Sequence, residues 1–345
     1  MSLSTNAVAS KAKSMYGKRL LDEHYQELLR KHSVPEIAAF LKTETVYQEA
    51  LADVRENAIH RGDLEHLLRQ AGFLRMQKLL RYVGTKNQSF YNFVVKEQEI
   101  DLILMRLRTI NSDLYEAFNT EIPVYLEKYI SFNLRDLLNA EDFDALLKVL
   151  ERTGYDEVLK SLKPENRNQK VNYVACEYAL HAYFYNWIFK TIDSEFKGKT
   201  KKELLTIFES QVELLNIAKI YRYKRFFDVD SQTIYNSLIL THQRMSNKFL
   251  KKLTEAEDDV AILNILAASN YQIMADDKDY VFIEYYADKV KYNLSRRYMR
   301  FSTNASMVFT TFYVMQKLEI ENLINIIEGV RYGTPSENIE KMLIY

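Results

Sequence analysis

Glycine and proline are scarce in this chain of 345 residues. There are 8 Gly and 4 Pro, where average usage would give about 24 and 17. Tight turns draw on glycine for positive φ, and proline interrupts helices. A long chain with so few of either has few turns, so long helices are expected. Cysteine is scarcer still. Cys176 stands alone, so neither a disulfide framework nor a cysteine-based zinc site can be built within one chain. That usage suits a reducing compartment. No sign of charge dominates, since 47 Lys plus Arg balance 47 Asp plus Glu. Nucleic-acid binding proteins usually carry a basic surplus, so that class is disfavoured. Long hydrophobic runs are also missing. The longest uncharged stretch, Phe301 to Gln316, holds Ser302, Thr303, Asn304, Ser306, Thr310 and Thr311. It is too short and too polar to cross a bilayer. Met1 to Ser14 is small, polar and mildly basic, without the apolar stretch of a signal peptide. Any membrane association is expected to run through a partner.

Core material is plentiful. Apolar residues make up 47% of the chain and charged residues 27%, as in ordinary globular proteins. At roughly 150 residues per domain, two or three folding units are expected. The 25 Tyr and 18 Phe suit half-buried sites between packed helices, where a tyrosine ring is covered and its hydroxyl stays wet. Helical periodicity recurs. Ile100, Ile103, Leu104 and Leu107 fall at i, i+3, i+4 and i+7, as do Phe143, Leu146, Leu147 and Leu150, and Leu323, Ile326, Ile327 and Val330. Each set makes one apolar stripe. Ser33 with Glu36, Thr200 with Glu203, Thr254 with Glu257 and Thr334 with Glu337 have the spacing of a capping box at a helix start. Pro335 suits a first helical position. The only strand-like signal is Tyr280 to Tyr286, short and aromatic. The fold class is all-α.

Internal repetition is the strongest signal. Leu214-Leu215-Asn216-Ile217 is echoed by Leu323-Ile324-Asn325-Ile326, and Arg222-Tyr223 by Arg331-Tyr332 at the same interval. A second element also recurs. Ala140-Glu141-Asp142 leads to Leu150 and Tyr155, and Ala256-Glu257-Asp258 leads to Leu266 and Tyr271. Ser33 to Leu51, with Phe40-Leu41-Lys42-Thr43 and Tyr47, is a looser third copy. Glu99-Ile100-Asp101-Leu102-Ile103-Leu104 is the first and most diverged copy of the other element. The two alternate with a period of about 110 residues, far above that of solenoids. Three related helical lobes are expected, over residues 1–122, 123–231 and 232–345. Pro164 to Asn168 is a polar loop and Phe196 to Lys202 a basic one.

Catalytic constellations are not evident. The glycines are scattered, so no phosphate-cradling loop can form, and no HExxH is present. Glu177 and His181 stand one helical turn apart, but the further carboxylates and second Glu-x-x-His of a di-iron bundle are missing. A hydrogen-bonded histidine is the plainer account. Cys176 lies in an apolar, tyrosine-rich run and reads as a buried small hydrophobe. His60, Glu65 and His66, near Arg61 and Asp63, read as a solvated helix start. Basic clusters at Lys199–Lys202, Arg222–Arg225 and Arg296–Arg300 interleave with aromatics in two cases, which could suit RNA. Balanced charge and nearby acids make solvated helix faces the better account. Gly329 and Gly333 sit in a charged, amphipathic segment, so they mark close helix packing or a helix end. The echoed Asn and Arg-Tyr residues could be partner contacts. They could equally hold the same internal hydrogen bonds in each copy, which is the favoured account.

Lys317-Leu-Glu-Ile-Glu-Asn-Leu-Ile-Asn-Ile-Ile-Glu-Gly-Val-Arg-Tyr-Gly333 resembles the closing segment of the C/d subunit family of V-type and A-type rotary ATPases. Asn322, Asn325, Arg331, Tyr332 and Gly333 carry the pattern. Leu137-Leu-Asn-Ala-Glu-Asp-Phe-Asp-Ala-Leu-Leu147 with Thr153-Gly154-Tyr155 is similar to the family's mid-chain element, and the repetition covers nearly the whole chain. The diverged first lobe and the lengthened second lobe around Asn172 to Trp187 depart from it. The resemblance implies a pseudo-threefold funnel of three similar lobes, monomeric in isolation and present once per complex. Its narrow end would rest on the cytoplasmic face of the membrane proteolipid ring, and its open end would take the tip of the D and F stalk subunits. It implies no cofactor, no metal and no chemistry, with ATP handled in the A and B subunits. Arg222 and Arg331 are the candidate partner-interface residues. The alternatives are a free helical scaffold or adaptor built from the same repeats and, behind it, a metal or radical enzyme in a helical bundle.

Overall fold

The computed structural model describes residues 3–83, 88–111, 122–166, 170–227, 229–242, 244–269 and 283–345, with side chains from residue 7 onward. Every regular element among them is helical. In chain order these are α1 (Leu3–Tyr16), α2 (Asp22–Leu29), α3 (Val34–Glu44), α4 (Arg61–Leu80), α5 (Gln88–Tyr91), α6 (Phe93–Asn111), α7 (Leu134–Asn139), α8 (Phe143–Val149), α9 (Tyr155–Lys160), α10 (Tyr173–Glu195), α11 (Gly198–Phe226), α12 (Ser231–Asn236), α13 (Asn247–Thr254), α14 (Asp259–Ala267), α15 (Ile283–Phe301), α16 (Ala305–Arg331) and α17 (Ser336–Glu340). The strand-like stretch is helical from Ile283 onward, and residues 280–282 lie outside the described residues.

Long helices α4, α6, α10, α11, α15 and α16 form the frame. With 29 and 27 residues, α11 and α16 run about 40 Å each. Helix α16 packs against α1, α4, α11 and α15 and is buried on nearly every side from Ala305 to Gln316. That explains most of the uncharged stretch: from Ala305 on it is covered by neighbouring helices. The two threonines of α16 are satisfied within the helix, since the Thr310 and Thr311 hydroxyls donate back to the Ser306 and Met307 carbonyls at 2.8 and 2.9 Å. At Gly72 a β-carbon would collide with the Ile320 side chain, so glycine lets α4 and α16 approach closely.

Buried apolar side chains form three clusters. One holds Leu20 to Ala71 together with Leu323, Ile326, Ile327, Ile339 and Leu343. The C-terminal half of α16 thus completes the core begun by the N-terminal short helices, across the sequence-drawn lobe divisions. A second, the largest, centres on α6 to α10. The third joins the end of α11 to α12–α14 and the start of α15. The periodic stripes are the buried faces. Ile100, Ile103, Leu104 and Leu107 are covered, as are Leu323, Ile326 and Ile327.

A buried glutamate organises each cluster. Glu99 accepts from the Ser131 backbone N–H at 2.5 Å and from the Tyr155 hydroxyl at 2.7 Å. Glu319 accepts from the Leu20 N–H at 2.9 Å and the Tyr47 hydroxyl at 2.8 Å. Glu213 accepts from the Arg244 and Met245 N–H groups at 2.5 and 2.9 Å. Tyr271, the expected third tyrosine, lies outside the described residues. Burying a carboxylate is costly unless it is fully hydrogen-bonded, and here each one receives backbone or hydroxyl donors. Three residues on, Asn216 and Asn322 each make a two-bond clip. Asn216 bonds Ile239 at 2.8 and 3.0 Å, and Asn322 bonds Ile344 at 2.7 and 2.9 Å.

These clips correct the register of the echo. Asn216 corresponds to Asn322, and Asn325 is only half-buried. Arg331-Tyr332 accordingly corresponds to Arg225-Phe226, not to Arg222-Tyr223. The Ala-Glu-Asp motif is also explained. Asp142 caps α8 by accepting from the Ala145 N–H at 2.8 Å, and Asp258 caps α14 through the Ala261 N–H at 2.7 Å.

Of the capping boxes, Ser33 caps α3 through the Glu36 N–H. Its Glu36 reaches the His32 N–H rather than the cap's own. The other three fail as helix starts. Thr200 lies inside α11, Thr254 closes α13, and the residue before α17 is Pro335 itself. Gly329 and Gly333 take both expected roles. Gly329 admits the Ile339 side chain. Gly333, at φ 65°, ends α16 as the Thr334 N–H reaches the Gly329 carbonyl at 2.8 Å.

Candidate partner-docking surfaces

A cleft opens between the long helices. Its main part, about 830 Å³, is walled by α4 (Arg69, Phe73), α6 (Asp101, Met105), α10 (Glu177, His181) and α16 (Lys317, Glu321). A side pocket of about 200 Å³ shares Asp101, His181, Lys317 and Glu321 and adds Glu97 and Asp288. The polar wall arises from single turns. Glu97 and Asp101 are one turn apart on α6, and Tyr313, Lys317 and Glu321 follow the same spacing on α16. An apolar helix with one polar stripe is the signal that reveals such a wall in sequence.

Electrostatics follow from the concave setting. Tyr313 donates to Glu97 Oε2 at 2.8 Å, and Lys317 Nζ lies 3.4 Å from the same oxygen. The Glu97 carboxylate holds the Lys317 ammonium well above its ordinary pKa. Burial pushes the Asp101 and Glu321 carboxyls up and the His181 imidazole down. Water reaches Asp101 and Lys317, while protein closes round them on most sides, as on the inner wall of a cleft. Both signs of charge are present, so the cleft suits a polar protein segment better than a single small ion.

Glu177 and His181 both line the cleft, and no group of three or more metal-ligand side chains occurs among the described residues. Cys176 is buried, and burial lifts its thiol pKa to about 11, the opposite of an activated nucleophile. His60 precedes α4, with its N–H donating to Asp63 at 3.2 Å. Arg61 pairs with Glu65 at 3.0 Å and Glu328 at 3.3 Å.

Arg222 and Arg331 both stand near the C-terminal ends of their helices, on α11 and α16. The Arg222 guanidinium is exposed and pairs with Glu284 at 2.9 Å. Arg331 is exposed at a groove of about 790 Å³ shared with Pro35, Ile59, Arg61 and Tyr332. Two exposed aromatics stand with them, Tyr332 of the echoed Arg-Tyr pair at 74% and Phe226, which the echo passed over, at 59%. They are the equivalent positions in the corrected register, each following an arginine. Repeats hid this because the aromatic type differs between copies.

At the opposite end of the long helices three turns meet. The Phe90 N–H donates to Glu195 Oε2 at 3.3 Å, and the Phe90 ring packs on Phe196 at 5.0 Å. Asn304 Nδ2 donates to Thr200 Oγ1 at 2.6 Å, and Lys13 Nζ donates to the Ser302 carbonyl at 2.8 Å. The junctions α4–α5, α10–α11 and α15–α16 therefore share one end with α1. No helix among the described residues is long and apolar enough to cross a membrane.

Comparison with known proteins adds the lineage. The chain is 22% identical over 345 residues to the C subunit of the A-type ATP synthase of Methanosphaera stadtmanae, covering 97% of this chain and 86% of that protein. It is 24% identical over 212 residues to the C subunit of the A-type ATP synthase of Archaeoglobus fulgidus, covering 60% of this chain and 58% of that protein. Residues 8–342 match the family described as ATP synthase (C/AC39) subunit. With that match spanning nearly its whole length, and with an all-helical fold to go with it, the chain belongs to the ATP synthase (C/AC39) subunit family.

Proposed function

We propose that the chain is the non-catalytic central-stalk subunit of a V/A-type ATPase, joining the D and F stalk subunits to the membrane proteolipid ring and so, indirectly, to the A and B subunits. Its place would be the cytoplasmic face of the membrane, held there by partners. Three lobes, divided along the chain near residues 122 and 231, would share the load, with each buried glutamate tying one of them to another: Glu99 to Ser131 and Tyr155, Glu213 to Arg244 and Met245, Glu319 to Leu20 and Tyr47. The observation that carries this function is the family match across residues 8–342. The cleft supports it, because helices with a mixed-charge wall can seat the tip of a helical stalk. Closely packed helices also supply the stiffness that torque transfer needs. Arg222 and Arg331, with the exposed Phe226 and Tyr332, are proposed as rim contacts, since arginine and aromatic side chains dominate interface energetics.

A tagged copy purified from gently solubilised membranes tests the proposal. Recovery of the A, B, D and F subunits and the proteolipid is the expected result. Good yield of this chain with none of them would overturn it. Reversing charge at Arg222 and Arg331 together is expected to weaken assembly, and an intact complex would remove both from the interface.

A further inference from the structure

The molecule carries no net charge, yet charge is segregated within it. At the end where the three helix turns meet, Arg81, Lys197, Lys202, Arg297 and Arg300 are exposed. None of these five forms an ion pair among the described residues. Lys199 stands beside them, 89% exposed at the side chain and loosely paired with Glu203 at 3.7 Å. The nearby acids are already engaged. Asp193 pairs with Lys201 at 2.9 Å, and Glu195 accepts from Phe90.

Folding does not explain the lysines. They crowd the start of α11, whose first turn holds no acid and whose leading residue, Lys197, makes no side-chain cap. A helix start is the positive end of its dipole, where stability favours Asp or Glu and disfavours Lys. Arg300, at the C-terminal end of α15, is by contrast where the dipole wants a cation. The cluster at α11 is therefore kept against local stability. Beside it, Phe301 projects with 74% of its surface exposed and Tyr82 with 43%. Basic side chains interleaved with projecting aromatics match a membrane–water interface, where rings sit at headgroup depth and cations meet anionic lipid.

Given the rotor-subunit role proposed above, we infer that this turn-bearing end faces the membrane and engages anionic phospholipid headgroups directly, in addition to any contact with membrane protein. Its partner is a lipid surface of negative charge. The attraction falls off within a Debye length, so it is lost in high salt.

The test is flotation of the purified full chain with vesicles of phosphatidylcholine alone or mixed with phosphatidylglycerol. Binding to the anionic vesicles, reversed by salt, and little binding to neutral ones is expected. Each neutralised cation near the surface lowers partitioning about fivefold. Lys197→Gln/Lys199→Gln/Lys202→Gln should therefore lower it on the order of 100-fold. Lys248→Gln/Lys251→Gln/Lys252→Gln, an equal charge change on exposed α13 residues remote from the turns, should leave it unchanged. Phe301→Ser should weaken it further. No binding to anionic vesicles, or equal loss in both triple variants, overturns the inference. If the ATPase subunits still co-purify while anionic vesicles are ignored, the rotor role stands and the basic end belongs to an acidic protein surface instead.

Discussion

Glu319 is the residue whose loss should say most about how this fold is held. Its carboxylate is 7% exposed and accepts from three groups: Leu20 N–H at 2.9 Å, Tyr47 hydroxyl at 2.8 Å and Arg75 Nη1 at 3.4 Å. Leu20 and Tyr47 come from the N-terminal segment and Glu319 from α16, so one side chain ties the two ends of the chain together. In Glu319→Ala the Leu20 amide and Tyr47 hydroxyl lose their acceptor inside protein. Each orphaned group costs about 1–3 kcal/mol. Breaking a buried pair by deleting one member costs about 3–5 kcal/mol in all, so a loss of that size is expected. Tyr47→Phe removes one bond and leaves the carboxylate its other donors, so about 1 kcal/mol is expected. Urea denaturation of the two variants and the double variant measures this, with the m-value as a check that the unfolding unit is unchanged. The double variant should cost less than the sum of the singles. A loss in Glu319→Ala no larger than in Tyr47→Phe would refute the idea that the carboxylate organises the site.

Three further outcomes follow from the same geometry. Burial raises the hydroxyl pKa of Tyr25, Tyr47 and Tyr155 well above 10, with the neighbouring Glu319 or Glu99 adding to it. The unfolded chain gives up those protons near pH 10 and the folded one keeps them, so stability is full below pH 10 and falls above it. Each such tyrosine contributes about 1.4 kcal/mol per pH unit, and tyrosinate absorbance should rise together with loss of helix, not before it. With its thiol pKa near 11, Cys176 should resist alkylation at pH 8 until denaturant is added, and rapid native labelling would contradict its burial. Gly72→Ala drives a β-carbon into Ile320 Cδ1 and should cost about 1–3 kcal/mol. Ile320→Val removes that methyl and should restore most of it, read from the urea midpoint.

The sequence by itself determined the helical class, the buried stripes and the recurring elements. Those features are local: periodicity of 3.6, few glycines and prolines, and asparagines and acids at fixed spacing are written residue by residue. It placed Tyr47 and Tyr155 in corresponding positions, and both bond a buried glutamate. It misjudged the pairing of Asn216 by three residues, because one helical turn of shift leaves the apolar stripe nearly intact. Only the buried hydrogen bonds of Asn216 and Asn322 decide between the two registers. It also read Thr200 and Thr254 as helix starts, since a capping box is a spacing that any helix can contain by chance. The tertiary structure alone decided that the end of α16 completes the first core, that Asp101, His181, Lys317 and Glu321 face one cleft, and that Arg81, Lys197 and Arg300 share one end. Those residues are far apart along the chain. What brings them together is the packing of six long helices, which no local pattern encodes.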